Sequence, residues 1–234
     1  MTYRERPAVA PLAGWIACVW ASRQGPLAQV KSIVPDGCID LIWSSHDQAV
    51  QVAGPDTRPF EAHLRPGEVF AAVRFRPGAG PAILGRPASA LRDARVPLAE
   101  IWERDAGRIA DLVAVASDGS RVLEALVTER VLGAGPPDRA AAGVIRTLAA
   151  GGSVRSLAAD LGYSERHLRR LCLDAFGYGP KILQRILRFQ RAVRLIGAGR
   201  PLGEVAATCG FADQAHLTRE VRALSGRPPS LLAA

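Results

Sequence analysis

The 234-residue sequence lacks the features that mark secreted, zinc-binding and membrane-spanning proteins. Its four cysteines form no C-x-x-C pair and no cysteine–histidine spacing typical of a metal site. It has no uninterrupted apolar run of about 18 residues, the length that a membrane helix needs. Its first ten residues also lack the apolar stretch of a signal peptide. We therefore expect a cytoplasmic protein with no disulfide framework, metal, cofactor or membrane segment.

Acidic residues are scarce in the last part of the chain. Residues 139–234 contain 15 Lys/Arg against 6 Asp/Glu, whereas residues 1–138 contain 15 against 16. A basic region beside a neutral one is typical of a nucleic-acid-binding domain, because contacts with phosphates release counterions and strengthen binding. An arginine-rich composition would produce the same surplus, so charge alone does not decide between the two interpretations.

Two copies of one pattern lie within this basic region. The first begins at Ser153 and reads SVRSLAADLGYSERHLRRLCLDAFG, and the second begins at Pro201 and reads PLGEVAATCGFADQAHLTREVRALSG. Each copy has an amphipathic segment, a glycine followed by an aromatic residue, and a second amphipathic segment. The second segment follows a residue that can cap a helix, Ser164 or Asp213. This order predicts two helix-turn-helix units.

The second helix of each predicted unit separates apolar from polar residues. Leucine, cysteine and valine side chains recur at helical spacing on one face. The opposite face carries arginine, histidine, glutamine and threonine. Arginine can pair with guanine and glutamine with adenine, and both can hold a phosphate. This face is therefore the candidate DNA-reading surface in both copies.

The segments LAADLGYSERHLRRLCLDAFG, LRFQRAVRLI and VAATCGFADQAHLTREVRALSGRPP resemble, in order and spacing, the DNA-binding domain of the AraC/XylS-type bacterial transcription regulators. The resemblance implies an all-α domain in which a linker helix, residues 181–196, joins two helix-turn-helix units. Ala215 departs from the polar residue often found at its position. The residues that the resemblance assigns to base reading are Arg166, Arg169, Arg170, Gln214, Ala215, His216 and Arg219. His167 joins the predicted DNA-binding residues because it lies on the same polar face.

The first half of the chain has a different pattern of apolar residues, proline and glycine. Short β-prone runs alternate with segments rich in proline and glycine, and after residue 97 apolar residues recur at helical spacing. These patterns predict an α+β domain with a mostly antiparallel sheet followed by helices, the second over about residues 120–132. The predicted strands lie at residues 15–20, 28–34, 38–43, 49–53 and 69–75.

The phrases PDGCIDLIW, VRFRPGAGPAILGRPASALRD and VPLAEIW resemble a poorly characterised domain often attached to AraC-type modules. The resemblance implies a sensing or dimerising role and identifies no ligand. Two glycines and two prolines in residues 133–138 indicate a linker. We therefore predict a sensing or dimerisation domain over 1–132, a linker over 133–138 and the DNA-binding domain over 139–234.

Several residues of the first domain allow a functional and a structural interpretation. Asp36, Cys38, Asp40 and His46 could form a metal or thiol site, but a turn acid and a buried thiol are the favoured interpretation. We expect Asp40 to pair with Arg74 or Arg76. The four tryptophans could line a pocket or fill the core. An apolar face at Val122, Leu123, Leu126, Val127 and Val131 could pair two chains or pack on its own sheet.

The favoured function is a sequence-specific DNA-binding transcription regulator and not an enzyme. Its partners would be the major groove of double-stranded DNA, RNA polymerase if it activates, possible small-molecule effectors, and a second copy in a homodimer. Two alternatives are a DNA-modifying or repair-type enzyme fused to a helix-turn-helix module, and an architectural DNA binder of low specificity. No nucleophile motif or phosphate loop favours the first. Mixed reading faces argue against the second.

Overall fold

The computed structural model describes residues 1–232, in which a β-rich region is followed by a helical one. The last two residues of the predicted DNA-binding domain lie outside the described part of the chain. Within residues 1–232 there are eight strands: β1 (Thr2–Arg6), β2 (Ile16–Arg23), β3 (Gln29–Ile33), β4 (Asp40–Ser44), β5 (Ala49–Ala53), β6 (Phe60–Leu64), β7 (Val69–Phe75) and β8 (Arg95–Pro97).

Six of these strands form one antiparallel sheet in the order β1-β2-β7-β4-β5-β8, while β3 and β6 pair as a separate two-stranded sheet. Alternate residues of the large sheet face opposite sides. Val19, Leu41 and Val73 belong to the hydrophobic core of the domain. Trp20, Ile42 and their neighbours instead line a cavity that the small sheet also borders. The large sheet therefore has one face in the core and one face on a cavity.

Three helices follow or interrupt the strands: α1 (Gly80–Leu84), α2 (Ala106–Val115) and α3 (Gly119–Ala134). Ile109 and Val113 of α2, with Leu123 and Val127 of α3, pack into the same core as the large sheet. The apolar face considered for dimerisation therefore packs within its own domain. The sequence-predicted α+β architecture with a mostly antiparallel sheet is confirmed.

The helical region contains six helices within the described residues: α4 (Arg139–Ala149), α5 (Val154–Asp160), α6 (Glu165–Phe176), α7 (Pro180–Gly197), α8 (Leu202–Cys209) and α9 (Gln214–Ser225). Helix α3 continues to Ala134, two residues into the predicted linker, and α4 begins at Arg139. Gly133 does not interrupt the helix, and Asp138 caps α4 by accepting a hydrogen bond from the Ala140 amide at 2.8 Å.

Two separate cores lie along α7. Leu183 and Ile186 pack with residues of α4, α5 and α6, whereas Phe189, Ala192 and Ile196 pack with residues of α8 and α9. The first turns of α7 therefore belong to one helix-turn-helix unit and its last turns to the other. We call α5–α6 the first unit and α8–α9 the second unit.

The cysteines in the two helical cores have low thiol reactivity because they are buried. Cys172 is buried in the first core, and burial raises its thiol pKa to about 12. Burial also raises the pKa of the Cys209 thiol in the second core. A thiol with a raised pKa carries little of the reactive thiolate at neutral pH. Within residues 1–232 no helix has the length and apolar character needed to cross a membrane.

Candidate nucleic-acid interface

The turns of the two units have the same backbone geometry. Gly162 and Gly210 both adopt a left-handed conformation, with φ of 65° and 72°. The amide of the aromatic residue after each glycine donates to a carbonyl five residues earlier, Tyr163 to Ala158 at 2.8 Å and Phe211 to Ala206 at 2.9 Å. This bond closes a helix end of the Schellman type, for which glycine is favoured. The repeated glycine–aromatic pair therefore encodes a repeated turn.

The second helix of each unit begins at a side-chain cap. The Ser164 hydroxyl accepts from the His167 amide at 3.2 Å, and the Asp213 carboxylate accepts from the His216 amide at 2.6 Å. Each cap satisfies an amide that the helix leaves free at its start. The first turns of α6 and α9, where the predicted reading residues lie, therefore have fixed helical geometry.

The first unit presents an arginine-rich surface. Arg166, Arg169 and Arg170 are exposed on α6, while Leu168 and Cys172 of the same helix are fully buried. His167 is also exposed, but its ring lies 4.2 Å from the ring of Tyr163, measured between centroids. The structure thus places the four predicted residues of this unit on one exposed stretch, with His167 packed against the turn.

The second unit presents a less charged surface. Gln214, Ala215 and Arg219 are exposed on α9 and line a shallow depression together with Thr218, which was absent from the predicted reading set. Thr218 follows Gln214 by one helical turn and lies on the polar face that helical periodicity predicts, although the resemblance did not assign it to base reading. His216 is half-buried: its Nδ1 accepts from the Ala212 amide at 3.2 Å and its ring lies edge-on to Phe211.

An ion-pair cluster fixes α9 to the linker helix. Arg185 donates to both carboxylate oxygens of Glu220, at 2.7 and 3.1 Å, and Arg188 lies 3.8 Å from the same carboxylate. Burial disfavours the charged form of Glu220, but the hydrogen bonds and charge of Arg185 hold its pKa below the ordinary value. Two of the four arginines of α7 therefore serve the packing between helices.

The first domain contacts the first unit at the end of α6, which the sequence patterns did not predict. A Cβ placed on Gly78 would lie 2.8 Å from the Phe176 ring, and one placed on Gly177 would lie 2.8 Å from Pro55. His167 and Arg170 also border a surface cleft of about 350 Å³ together with Pro81 and Ala82 of the first domain. The contact joins residues distant in sequence, so no local pattern could reveal it.

The other candidate residues of the first domain have structural partners. Arg74 donates to both oxygens of Asp40 at 2.9 and 2.8 Å, as the sequence predicted, and lies 3.3 Å from Asp36. Within residues 1–232 no group of three or more His, Cys, Asp or Glu residues is arranged to hold a metal ion. Trp15, Trp43 and Trp102 are buried in the core, whereas Trp20 borders the cavity.

Two protein-family models match parts of the chain. Residues 157–233 match a helix-turn-helix domain, and residues 4–97 match a domain of unknown function, DUF6597. A curated relative, the probable bifunctional transcriptional activator/DNA repair enzyme AlkA of Mycobacterium tuberculosis, is 42% identical over 82 residues. That match covers 34% of this chain and 16% of the relative, so the chain matches only a small part of that protein.

Solved structures give a likeness of fold. ToxT from Vibrio cholerae O395, bound to (E)-4-(8-methylnaphthalen-1-yl)but-3-enoic acid, has a TM-score of 0.50 at 10% identity over the whole of both chains. A probable AraC family transcriptional regulator from Rhodopseudomonas palustris CGA009 is 25% identical, with a TM-score of 0.37, over 41% of this chain and 95% of its own.

The fold, the duplicated turn and the domain matches define a class: the C-terminal region is a helix-turn-helix domain. The N-terminal region, over residues 4–97, carries the DUF6597 domain.

Proposed function

We propose that the chain reads one asymmetric DNA site through two surfaces, the first turns of α6 and the first turns of α9. The observation that carries the proposal is that both exposed surfaces follow capped helix starts on units joined by one uninterrupted helix, α7. Successive faces of the major groove recur about every 34 Å along B-DNA. The two contacted segments would then lie about ten base pairs apart, a spacing that bending of the DNA can adjust.

The residues of the two surfaces take different roles in this proposal. Arg166, Arg169 and Arg170 contact guanine or phosphate, because arginine suits both. On α9, Gln214 reads adenine, Ala215 contacts a thymine methyl and Arg219 contacts guanine or phosphate. His167 and His216 pack against the aromatic residues of the turns and stabilise them. Contact with DNA is their secondary role.

The first domain is proposed to control DNA binding, with the division at 1–132, 133–138 and 139–234. Support comes from the segment Ser32–Cys38, which contacts the helical region and also lines the cavity. The Ser32 hydroxyl donates to the Ser225 carbonyl at 3.2 Å, and the Pro35 carbonyl accepts from Gln190 at 2.5 Å. Ile33, Asp36 and Cys38 of the same segment line the cavity. A ligand that moves this segment would thus act on α7 and α9.

Several partners follow from this role. A bacterial regulator of this kind works in the cytoplasm, on double-stranded DNA, and contacts RNA polymerase if it activates transcription. A small-molecule effector would bind the first domain. A homodimer would form through an exposed surface, since the apolar face of α3 is occupied within its own domain.

Enzymatic activity is not part of the proposal. The M. tuberculosis relative is described as a DNA repair enzyme as well as an activator, but this chain matches 16% of it. The proposal assigns the shared part to DNA binding. An architectural binder of low specificity would need only positive charge, whereas the surface on α9 combines an amide, a methyl group and a guanidinium.

Selection of bound duplexes from a random pool by the intact protein tests the proposal. We expect a consensus with two unlike segments about ten base pairs apart and no palindrome. Repeating the selection with Gln214→Ala should relax one segment and leave the other unchanged. A consensus with a single segment, or a palindrome of equal halves, would contradict reading by both units of one chain.

A further inference from the structure

The cavity between the two sheets has the size of a small-molecule site. Its volume is about 630 Å³, and its walls come from the cavity face of the large sheet, from β3 and β6, and from Gln190 of α7. Drug-sized ligands occupy pockets of roughly 300–1,000 Å³. Because Gln190 is part of this wall, an occupant of the cavity would contact both the sheets and the helical region.

The buried charges of the lining are paired, with three carboxylates, Asp36, Asp40 and Asp56, beside two guanidiniums, Arg74 and Arg95. Arg74 pairs with Asp40 and Asp36, and Arg95 donates to both oxygens of Asp56 at 2.9 and 2.7 Å. Lys31 is exposed, with its ammonium 5.9 Å from the ring centre of Tyr3. An anionic ligand would lose hydration in the cavity without meeting a free buried cation, which is costly. An uncharged ligand avoids that cost.

Two shielded polar atoms of the lining lack a hydrogen-bond partner within the described residues. The indole Nε1 of Trp20 is a donor, and the amide Oε1 of Gln24 is an acceptor. Gln24 is 5% exposed, and both residues line the cavity. A buried polar group without a partner destabilises a protein, so such atoms usually have a partner, a water molecule or a ligand. A ligand with an acceptor for Trp20 and a donor for Gln24 would satisfy the two atoms.

Aromatic side chains supply much of the remaining wall. Tyr3 and Trp20 stand near each other, with ring centres 6.0 Å apart, and Phe60 and Phe70 also line the cavity. Flat apolar ligands pack well against such rings. We propose that the cavity binds an uncharged aromatic molecule that carries a hydroxyl or amide group. This inference rests on the proposed control of DNA binding by the first domain, to which it adds the class of ligand.

Calorimetric titration of the intact protein tests the ligand class with three probes of one size: 2-naphthol, 2-naphthoate and naphthalene. We expect 2-naphthol to bind at least tenfold more tightly than the charged 2-naphthoate. Trp20→Phe and Gln24→Leu should each weaken 2-naphthol binding roughly tenfold, as the loss of one buried hydrogen bond would. They should leave naphthalene binding within about twofold, because naphthalene makes no such bond. Gln29→Leu, at an exposed position of β3 outside the lining, is the matched control.

Three results would overturn the inference. One is binding of 2-naphthoate as tight as that of 2-naphthol. Another is unchanged 2-naphthol affinity in Gln24→Leu and Trp20→Phe, with circular dichroism matching the parent. The third is the absence of binding by all three probes in a sample that still binds its selected duplex. This third result would distinguish the two proposals, because it would refute the ligand class and leave the DNA-reading proposal intact.

Discussion

The two helix-turn-helix units have the same backbone geometry at their turns, but they differ in surface charge and in their contacts with the first domain. The first unit presents three exposed arginines, whereas the second presents Gln214, Ala215 and Arg219. Arginine binds phosphate of any sequence as well as guanine, while glutamine pairs specifically with adenine. We infer that the first unit contributes more to affinity and the second more to base preference. One duplicated turn can thus serve two tasks through its side chains alone.

Contacts with the first domain also differ between the units. At the first unit the contact is apolar and tight, because Phe176 and Gly177 meet Gly78, Pro55 and Ala88. At the second unit and the adjoining part of α7, Val34 packs on the second core and two hydrogen bonds form, from Ser32 to Ser225 and from Gln190 to Pro35. Tight packing opposes displacement, whereas single hydrogen bonds exchange with water at small cost. We infer that the contact with more hydrogen bonds, at the second unit, is the one that a signal would alter more readily.

Replacing Gly177 with alanine should have the largest effect. The backbone there has φ of 84°, and a Cβ would lie 2.8 Å from Pro55 Cγ and 3.0 Å from the Ala88 carbonyl oxygen. We expect a loss of about 3–4 kcal/mol in the free energy of unfolding, from the left-handed conformation and the clash together. Denaturant unfolding measures it.

Gly210→Ala is the matched control for that substitution. Gly210 has φ of 72°, and a Cβ there would meet nothing within 4 Å. Only the conformational cost of about 1–2 kcal/mol should remain. Equal losses in the two variants would mean that the contact between the first domain and α6 contributes nothing to stability.

Alanine substitutions on the reading surfaces should separate affinity from specificity. Arg169→Ala should weaken binding to all duplexes by a similar factor and reduce the salt dependence of binding by about one phosphate contact. Arg219→Ala should cost about 1–3 kcal/mol on the selected duplex. Titrations by fluorescence anisotropy at several salt concentrations measure both. Arg222→Ala, on the last turn of α9, is the control and should bind like the parent.

Removing the carboxylate of Glu220 should loosen the second unit. Glu220→Gln loses the ion pairs to Arg185 and Arg188, and since these arginines are partly exposed we expect a loss of about 1 kcal/mol at pH 7. The pKa of Glu220 is lower in the folded protein, so its contribution is fully present above the unfolded pKa of about 4.3. It disappears as pH falls through the folded pKa. A stability difference that persisted between parent and variant below that range would contradict the ion-pair explanation.

The smallest effect should come from Ser32→Ala. This substitution removes one hydrogen bond to the Ser225 carbonyl, worth about 0.5–1 kcal/mol. Thermal unfolding should show the change, whereas Ser89→Ala, at an exposed position, should not. No difference between the two variants would remove Ser32 from the proposed link to the second unit.

The DNA-binding half could be predicted from the sequence because its signals are local. Each glycine–aromatic pair, cap and apolar stripe acts within a few residues. Strands β1, β6 and β8 escaped prediction. The sequence TYRER of β1 is mostly exposed and β8 is three residues long, so neither shows the regular apolar alternation of a strand that covers a core. The sequence FEAHL of β6 does alternate, because Phe60, Ala62 and Leu64 face the cavity, and this pattern could have identified the strand.

The cavity and the contacts between the domains depend on long-range packing. Asp40 and Arg74 could be paired from the sequence because a buried carboxylate needs a partner. Trp20 and Gln24 could not be distinguished from core residues, since their orientation depends on the register between β2 and β7. The segment Ser32–Cys38 reads locally as a strand followed by a turn, and its contact with α7 spans 155 residues.

Insertion of base pairs between the two segments of the selected duplex tests the central claim most directly. Two reading surfaces whose units are joined by one helix, α7, have a fixed separation. Five inserted base pairs, about half a helical turn, would therefore place the segments on opposite sides of the DNA. We expect the intact protein to lose affinity until the duplex binds no better than one that keeps a single segment. Affinity for the five-base-pair insertion equal to that for the selected duplex would show that only one unit reads DNA.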